Sequence, residues 1–349
     1  MSDNIALMTG NAGGVGFTFT KFLLERGWNI ISIDNNFRKQ FFGEDGDVSK
    51  NFEFLREFTD FYELDIREHS KIEEIFKKHR NNIKLISHNA AQPAHDFAAQ
   101  NPLLDFDINA RATLNLLECF RKHCQDAVFE YMSTNKVSGD MCNRIPLKEF
   151  PTRYEYDDRH FINGIDESIS IDKSGHSLFG CSKASADLFV QEYGRYFKLK
   201  TVCFRGGCLS GIAHSGCKAH GFLDYICKCA VKQTKYYVNG YKMKQVRDNL
   251  DFSDLCEAFY AFYKSPRIAE VYCIGGGHEN SVSIIEVINY LEQKHNLKLQ
   301  YEYLQEPRKF DHCVYYSCNN KFKMHYPSWE IRKSVYQIID EIVEKYKNE

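Results

Sequence analysis

An apolar run, IALMT at 5–9, leads straight into GNAGGVG and then into apolar-periodic residues at 15–25. That order predicts a buried strand, a glycine-rich turn and a helix. Gly10, Gly13 and Gly16 form G-x-x-G-x-x-G, with Gly14 and Val15 inside the same turn. Glycines there permit a tight reversal, a close backbone approach to a diphosphate, and close packing of helix on strand. The helix N-terminus then offers unpaired N–H groups to an anion. A chain that opens this way is constrained to a sheet built from βαβ units, with a dinucleotide at its edge.

The next strand, 29–33, ends at Asp34. A carboxylate in that position accepts both ribose hydroxyls of an adenosine, which selects NAD over NADP. Asn35 and Arg38 follow; an arginine there competes with that reading, because it can hold a 2′-phosphate. The alternation continues with a strand at 61–64, a helix at 70–79 and a strand at 83–87. Asp65 and Ile66, after the third strand, are placed to meet the adenine. HNAAQ, 88–92, is a small-residue loop whose Ala90 and Ala91 can lie against the cofactor. Residues 101–122 read as helix and include Asn109, and 127–131 read as the fifth strand. Repeated units of this length predict an α/β fold: a Rossmann-like, doubly wound parallel sheet.

At 349 residues, 43% of them hydrophobic, the chain suffices for such a sheet plus a smaller C-terminal α/β substrate-binding lobe. The expected division is an NAD-binding domain at 1–205 and a substrate lobe at 206–349, interleaved. A balance of 45 basic and 47 acidic residues, with no basic stripe, argues against nucleic acid as partner. No apolar run approaches membrane-span length and no secretory segment opens the sequence, so a cytoplasmic, membrane-free protein is expected. Thirteen cysteines without a C-x-x-C pair suit a reducing compartment. Without a Cys/His cluster or H-E-x-x-H, no metal site is expected.

Three motifs, TGNAGGVG, STNKVSG and FGCSK, together resemble those of the extended short-chain dehydrogenase/reductase family of nucleotide-sugar epimerases and dehydratases. Among its groups the chain looks most like the CDP-paratose 2-epimerases, through STNKV at 133–137, GCSKASAD at 180–187, KQVRD at 244–248 and IGGGHENSVSIIE at 274–286. The resemblance implies that Thr134 hydrogen-bonds the reacting sugar oxygen and that Lys183 holds the nicotinamide ribose. Asn135 and Lys136 stand where the 4,6-dehydratases carry an Asp-Glu pair, which argues against dehydration.

Phe179 occupies the position of the family's catalytic tyrosine. A tyrosine one helical turn before the lysine has its phenol pKa lowered and can exchange a proton with a hydroxyl near neutral pH. Phenylalanine cannot, and Ser138 replaces a second aromatic hydroxyl in the V-Y-G segment. His176, three residues upstream, is the leading substitute by intrinsic pKa, with Cys181 and Lys136 behind it. The substrate is expected against Gln92, Thr134, Asn135, Lys136, Arg205, Gly206 and His214, with Arg247 and Arg308 clamping its diphosphate.

The implied activity is NAD-dependent epimerisation of a nucleoside-diphosphate sugar through a transient ketone. Two alternatives use the same residues: a dehydrogenase releasing the keto-sugar, and a silent NAD- or nucleotide-sugar-binding relative. A homodimer through the helices at 101–122 and 183–196 is implied by the resemblance.

Overall fold

The computed structural model describes residues 4–213, Gly216 and 221–349. The chain divides into two compact units: residues 1–137, 178–205 and 255–272 form one, and 138–177, 206–254 and 273–349 the other. The two units interleave along the chain. The segment 138–177 belongs with the second unit, and 255–272 returns to the first, because the helix Phe252–Lys264 feeds the edge strand of the main sheet.

The first unit is built on a seven-stranded sheet. Its order is Glu270–Ile274, Lys200–Gly206, Val128–Met132, Ile83–His88, Ile5–Thr9, Asn29–Asp34 and Asp60–Glu63. The five ladders from Asp60–Glu63 across to Lys200–Gly206 all run parallel. Strand order reverses at Ile5–Thr9, which pairs with Asn29–Asp34 on one side and Ile83–His88 on the other. In such sheets the crevice for a ligand opens at the carboxyl ends of the strands flanking that reversal. The loops after Thr9 and His88 border it.

Strand and helix residues alternate into one apolar core. Leu7, Ile31, Ile33 and Ile86 pack against Ile72, Ile75 and Phe76 of the helix His69–His79 and Leu116, Leu117 and Phe120 of the helix Ala112–His123. Residues 101–122 are not one uniform helix. An α-helix Pro102–Phe106 passes through a π-helical turn, Asp107–Arg111, before Ala112–His123 resumes. Such π turns are rare and cluster at functional sites. This one carries Asn109. The next helix of the unit, Ser177–Phe197, begins earlier than the apolar periodicity suggested and takes Phe179 into its first turn.

In the second unit, Val246–Asp251 pairs antiparallel with Ser281–Ser283 and parallel with Val314–Tyr315 and Cys208–Ser210. Helices Phe222–Lys232, Ile284–His295 and Val335–Asn348 cover a separate core that includes Ile226, Leu291 and Ile339. The last helix starts at Val335. Ser334 caps it reciprocally with Gln337, a start signal present in the sequence as S-x-x-Q. No helix among the described residues is long and apolar enough to cross a membrane.

One strand residue is out of character with the core. Glu130 of Val128–Met132 is 1% exposed, and neither carboxylate oxygen has a hydrogen-bond partner. Burial raises its pKa well above the ordinary carboxylate range, so it folds as the neutral acid. The unfolded chain ionises above about pH 4.3 while the folded chain does not. Stability therefore falls as pH rises from there towards the folded pKa. Replacing Glu130→Met is expected to add roughly 1–3 kcal/mol at pH 7, with a smaller gain at pH 4, measured by urea denaturation at both values.

Candidate active site

The turn after Ile5–Thr9 is shaped by contacts that exclude side chains. Gly10 has φ +71, and a Cβ there would lie 2.6 Å from the Ala90 nitrogen, so the two loops bordering the crevice touch through backbone. A Cβ on Gly16 would meet the Gly10 carbonyl oxygen at 2.2 Å, which fixes the helix against the turn. The helix Gly14–Leu24 starts without a side-chain cap at Gly13 and without an acidic residue in its first turn. Gly13 N donates back to the Gly10 carbonyl at 3.2 Å, and the first turn of the helix, with its positive dipole end, carries no side-chain cap that would exclude an anion.

Asp34 closes the second strand beside this cradle. Its Oδ2 accepts from Ala12 N at 2.9 Å and its Oδ1 from Asn36 N at 2.9 Å. Burial pushes the carboxyl up, opposed by these N–H donors and by the Arg38 charge. The guanidinium of Arg38 lies over the Phe42 ring, 4.7 Å from its centroid. Asp65 accepts a two-point contact from Arg67, at 3.0 and 2.7 Å, and a bond from Asn35 Nδ2 at 3.1 Å. Its neighbour Ile66 is buried in the core. The uncapped turn and the strand-end carboxylate fit the diphosphate and ribose of an NAD molecule.

At the end of Val128–Met132 the chain turns so that adjacent hydroxyls part. Ser133 is buried and its Oγ donates to Asp187 Oδ2 at 2.6 Å. Thr134 remains half-exposed, with Lys136 N donating to its Oγ1 at 3.3 Å. Asn135 and Lys136 are likewise half-exposed. Lys183 is 3% exposed; its ammonium donates to the Met132 carbonyl at 2.8 Å and sits 4.2 Å from the centre of the Tyr131 ring. Burial brings its pKa down to about 7. Lysine and threonine are thus joined through the last residues of one strand.

Three residues expected at a ligand have internal side chains. Gln92, expected at the substrate, is fully buried. Its Nε2 donates to Ala94 O at 3.0 Å and Asp105 Oδ1 at 2.7 Å, and its Oε1 accepts from Ala94 N. Asn109, expected at the cofactor, is equally internal. Its Oδ1 accepts from Gln92 N at 2.9 Å, and its Nδ2 reaches Gln92 O, Asp105 Oδ1 and Ser182 Oγ, each at 3.0 Å. Arg205, expected at the sugar, is buried against Asp187, with Nη2–Oδ1 at 2.8 Å and Nε–Oδ2 at 3.2 Å. In each case the side chain's polar atoms already have partners within the fold, so these residues position others. His88, which Thr9 and Thr113 hold at 2.7 and 2.9 Å, has its imidazole pushed down to about 3 by burial and stays neutral.

In the second unit, Arg247 contacts Asp311 Oδ1 at 3.0 Å and donates to the carbonyls of His312 at 2.6 Å and Val246 at 2.8 Å. Arg308 is exposed. Gly206 is buried at the end of its strand, and His214 lies outside the described residues. His176 has its Nδ1 against the Ser174 carbonyl at 3.0 Å. Phe179, 6% exposed, packs instead on His95, the rings 5.0 Å apart between centroids and inclined at 53°. His95 escaped the sequence reading, although it is the first titratable residue after the small-residue loop.

The family model for the NAD dependent epimerase/dehydratase family matches residues 6–275. The chain belongs to that family. Its members are NAD-dependent, in agreement with the cradle and with Asp34. The chain is 33% identical over 304 residues to the CDP-paratose 2-epimerase of Salmonella typhi, covering 84% of this chain and 86% of that one. Among solved structures, it resembles the UDP-glucose 4-epimerase of Thermus thermophilus in complex with NAD, with a TM-score of 0.78, 22% identity and 98% and 99% of the two chains covered. The UDP-glucuronic acid 4-epimerase of Bacillus cereus in complex with UDP-glucuronic acid and NAD superposes with a TM-score of 0.78, 19% identity and 99% of each chain covered. These likenesses establish the Rossmann-like fold.

Two substitutions test the assignments. Gly10→Ala forces a Cβ into the Ala90 backbone at a positive φ, at a cost of about 1–3 kcal/mol. It should weaken NAD⁺ binding by roughly tenfold or more, read by calorimetry. Arg205→Met strands the buried Asp187 and should destabilise the protein by roughly 3–5 kcal/mol in urea melts, while leaving nucleotide-sugar affinity of the folded protein within about twofold.

Proposed function

We propose that the protein is an NAD-dependent epimerase of a nucleoside-diphosphate sugar, inverting one carbon, as in a CDP-sugar 2-epimerase, through a transient ketone. The observation that carries the reading is the Lys183 ammonium, which donates from its helix to the Met132 carbonyl at the end of the strand that leads into Thr134, with Asn135–Lys136 and no carboxylate following. Bound NAD⁺ supplies a hydride acceptor that returns the hydride within one turnover. Thr134 offers its half-exposed hydroxyl to the reacting oxygen. Lys183 orients the nicotinamide ribose, its burial excluding water from that contact. A general acid for expelling water from the sugar is lacking after Thr134, which favours epimerisation over dehydration. The 33% identity to a CDP-paratose 2-epimerase supports a CDP-hexose and its C2. Arg247 and Arg308 are proposed to meet the diphosphate. For Arg247 this requires exchanging its Asp311 contact for the ligand.

A homodimer fits the same reading. Leu188, Phe189 and Tyr196 are exposed along the helix Ser177–Phe197, and light scattering should give the mass of two chains.

Two readings compete: oxidation arrested at the keto-sugar and, favoured by Phe179, no reaction at all. Purified protein with NAD⁺ and a panel of CDP-, GDP- and UDP-hexoses in D₂O separates them, followed at 340 nm and by product NMR. A new epimer without net absorbance change is expected. Stoichiometric absorbance with a keto-sugar would reassign the protein as a dehydrogenase, and binding without conversion as a silent relative.

A further inference from the structure

We propose that His95 is the proton-carrying catalytic residue, acting on the sugar hydroxyl in place of the missing tyrosine. The inference rests on the epimerase reading above. It starts from the packing of the His95 imidazole on Phe179, the ring that stands where the phenol is expected. His95 is half-buried and opens the short helix His95–Gln100, directly after the loop that borders the cofactor crevice. An imidazole has an intrinsic pKa near 6.5, so it can take and return a proton near neutrality.

The surrounding fold anchors the backbone that leads into His95. Gln92 clamps the loop through both backbone groups of Ala94, the residue before His95. Asn109 holds Gln92 from the π turn and reaches Ser182 on the helix that carries Phe179. The buried amides thus tie the histidine loop to the helix of Phe179. Such support keeps a catalytic group within the fraction of an ångström that proton transfer needs.

Four other titratable groups are less well placed. Lys183 is almost wholly buried and donates to the Met132 carbonyl. His88 is enclosed between two threonines. The Cys181 thiol is pushed up by burial, and His176 Nδ1 is engaged with the Ser174 carbonyl.

In the first half-reaction the sugar O–H bond breaks and its proton passes to a neutral His95 nitrogen. The O–H electron pair becomes the second C–O bond as the C–H pair departs as hydride to NAD⁺. In the return, hydride reaches the opposite face of the same carbon, and the imidazolium gives its proton to the oxygen. Neutral His95 and NAD⁺ are restored.

The test uses NAD⁺-loaded protein and the CDP-hexose that turns over in the panel above. His95→Gln keeps size and polarity but carries no proton. It should lower kcat by roughly 10²–10⁴-fold, while calorimetric Kd for the CDP-hexose stays within about twofold. Adding Phe179→Tyr to that variant should recover at least roughly tenfold, because a phenol is returned one turn from Lys183. His95→Asn serves if the glutamine variant does not fold. Independently of turnover, ¹⁵N NMR of histidine-labelled wild type should show the His95 resonances shifting on CDP-hexose binding. Full activity of His95→Gln, or an imidazole unresponsive to the sugar, would overturn the assignment while leaving the epimerase intact. A wild type that converts no sugar overturns the functional reading, and the assignment with it.

Discussion

Asn109 uses both ends of its amide to join three segments far apart in sequence: the loop after Ile83–His88, the π turn that carries it, and the helix of Phe179 and Lys183. Inside a protein an unpaired amide costs about 1–3 kcal/mol, so this network is stable as a set or not at all. Asp105 completes it by accepting from Gln92 and Asn109. Burial raises the Asp105 carboxyl against these hydrogen bonds and the nearby Lys183 charge. The positions of the loop after Ile83–His88 and of the helix Ser177–Phe197 follow from this one arrangement.

A second buried cluster does the same for the adjacent strands. Asp187 receives Ser133, Gln191 and both arms of Arg205, locking the helix Ser177–Phe197 to the strands Val128–Met132 and Lys200–Gly206. Because Ser133 is pulled inward, Thr134 is turned outward. Lys183, one helical turn before Asp187, then finds the strand carbonyl of Met132. Buried charge and amide pairs thus set the backbone around two half-exposed groups, Thr134 and His95.

The fold was largely legible in the sequence because its signals are local. Apolar strands, the glycine turn and 3.6-residue periodicity reflect short-range sterics and burial, and the parallel sheet follows from repeated βα units. Element ends were less legible: the start of Val335–Asn348 is decided by the Ser334–Gln337 cap, and the π turn at Asp107–Arg111 has no periodic signature. Local geometry was legible where a motif carries it, as in the close backbone approaches at Gly10 and Gly16. Gln92, Asn109 and Arg205 have side chains suited equally to a ligand or to an internal partner. Their partners, Asp105, Ser182 and Asp187, are placed by chain crossings rather than by spacing.

The sequence by itself determined the parallel sheet of βα units, the carboxylate of Asp34 at the end of its second strand, and the loss of the phenol at Phe179, since each depends on residue type at a fixed local position. Only the tertiary structure decided which polar residues face inward and which titratable group meets the Phe179 ring. His95 and Phe179 belong to separate βα units, and no periodicity links them. They meet because the amides of Gln92 and Asn109, once removed from water, must find one another.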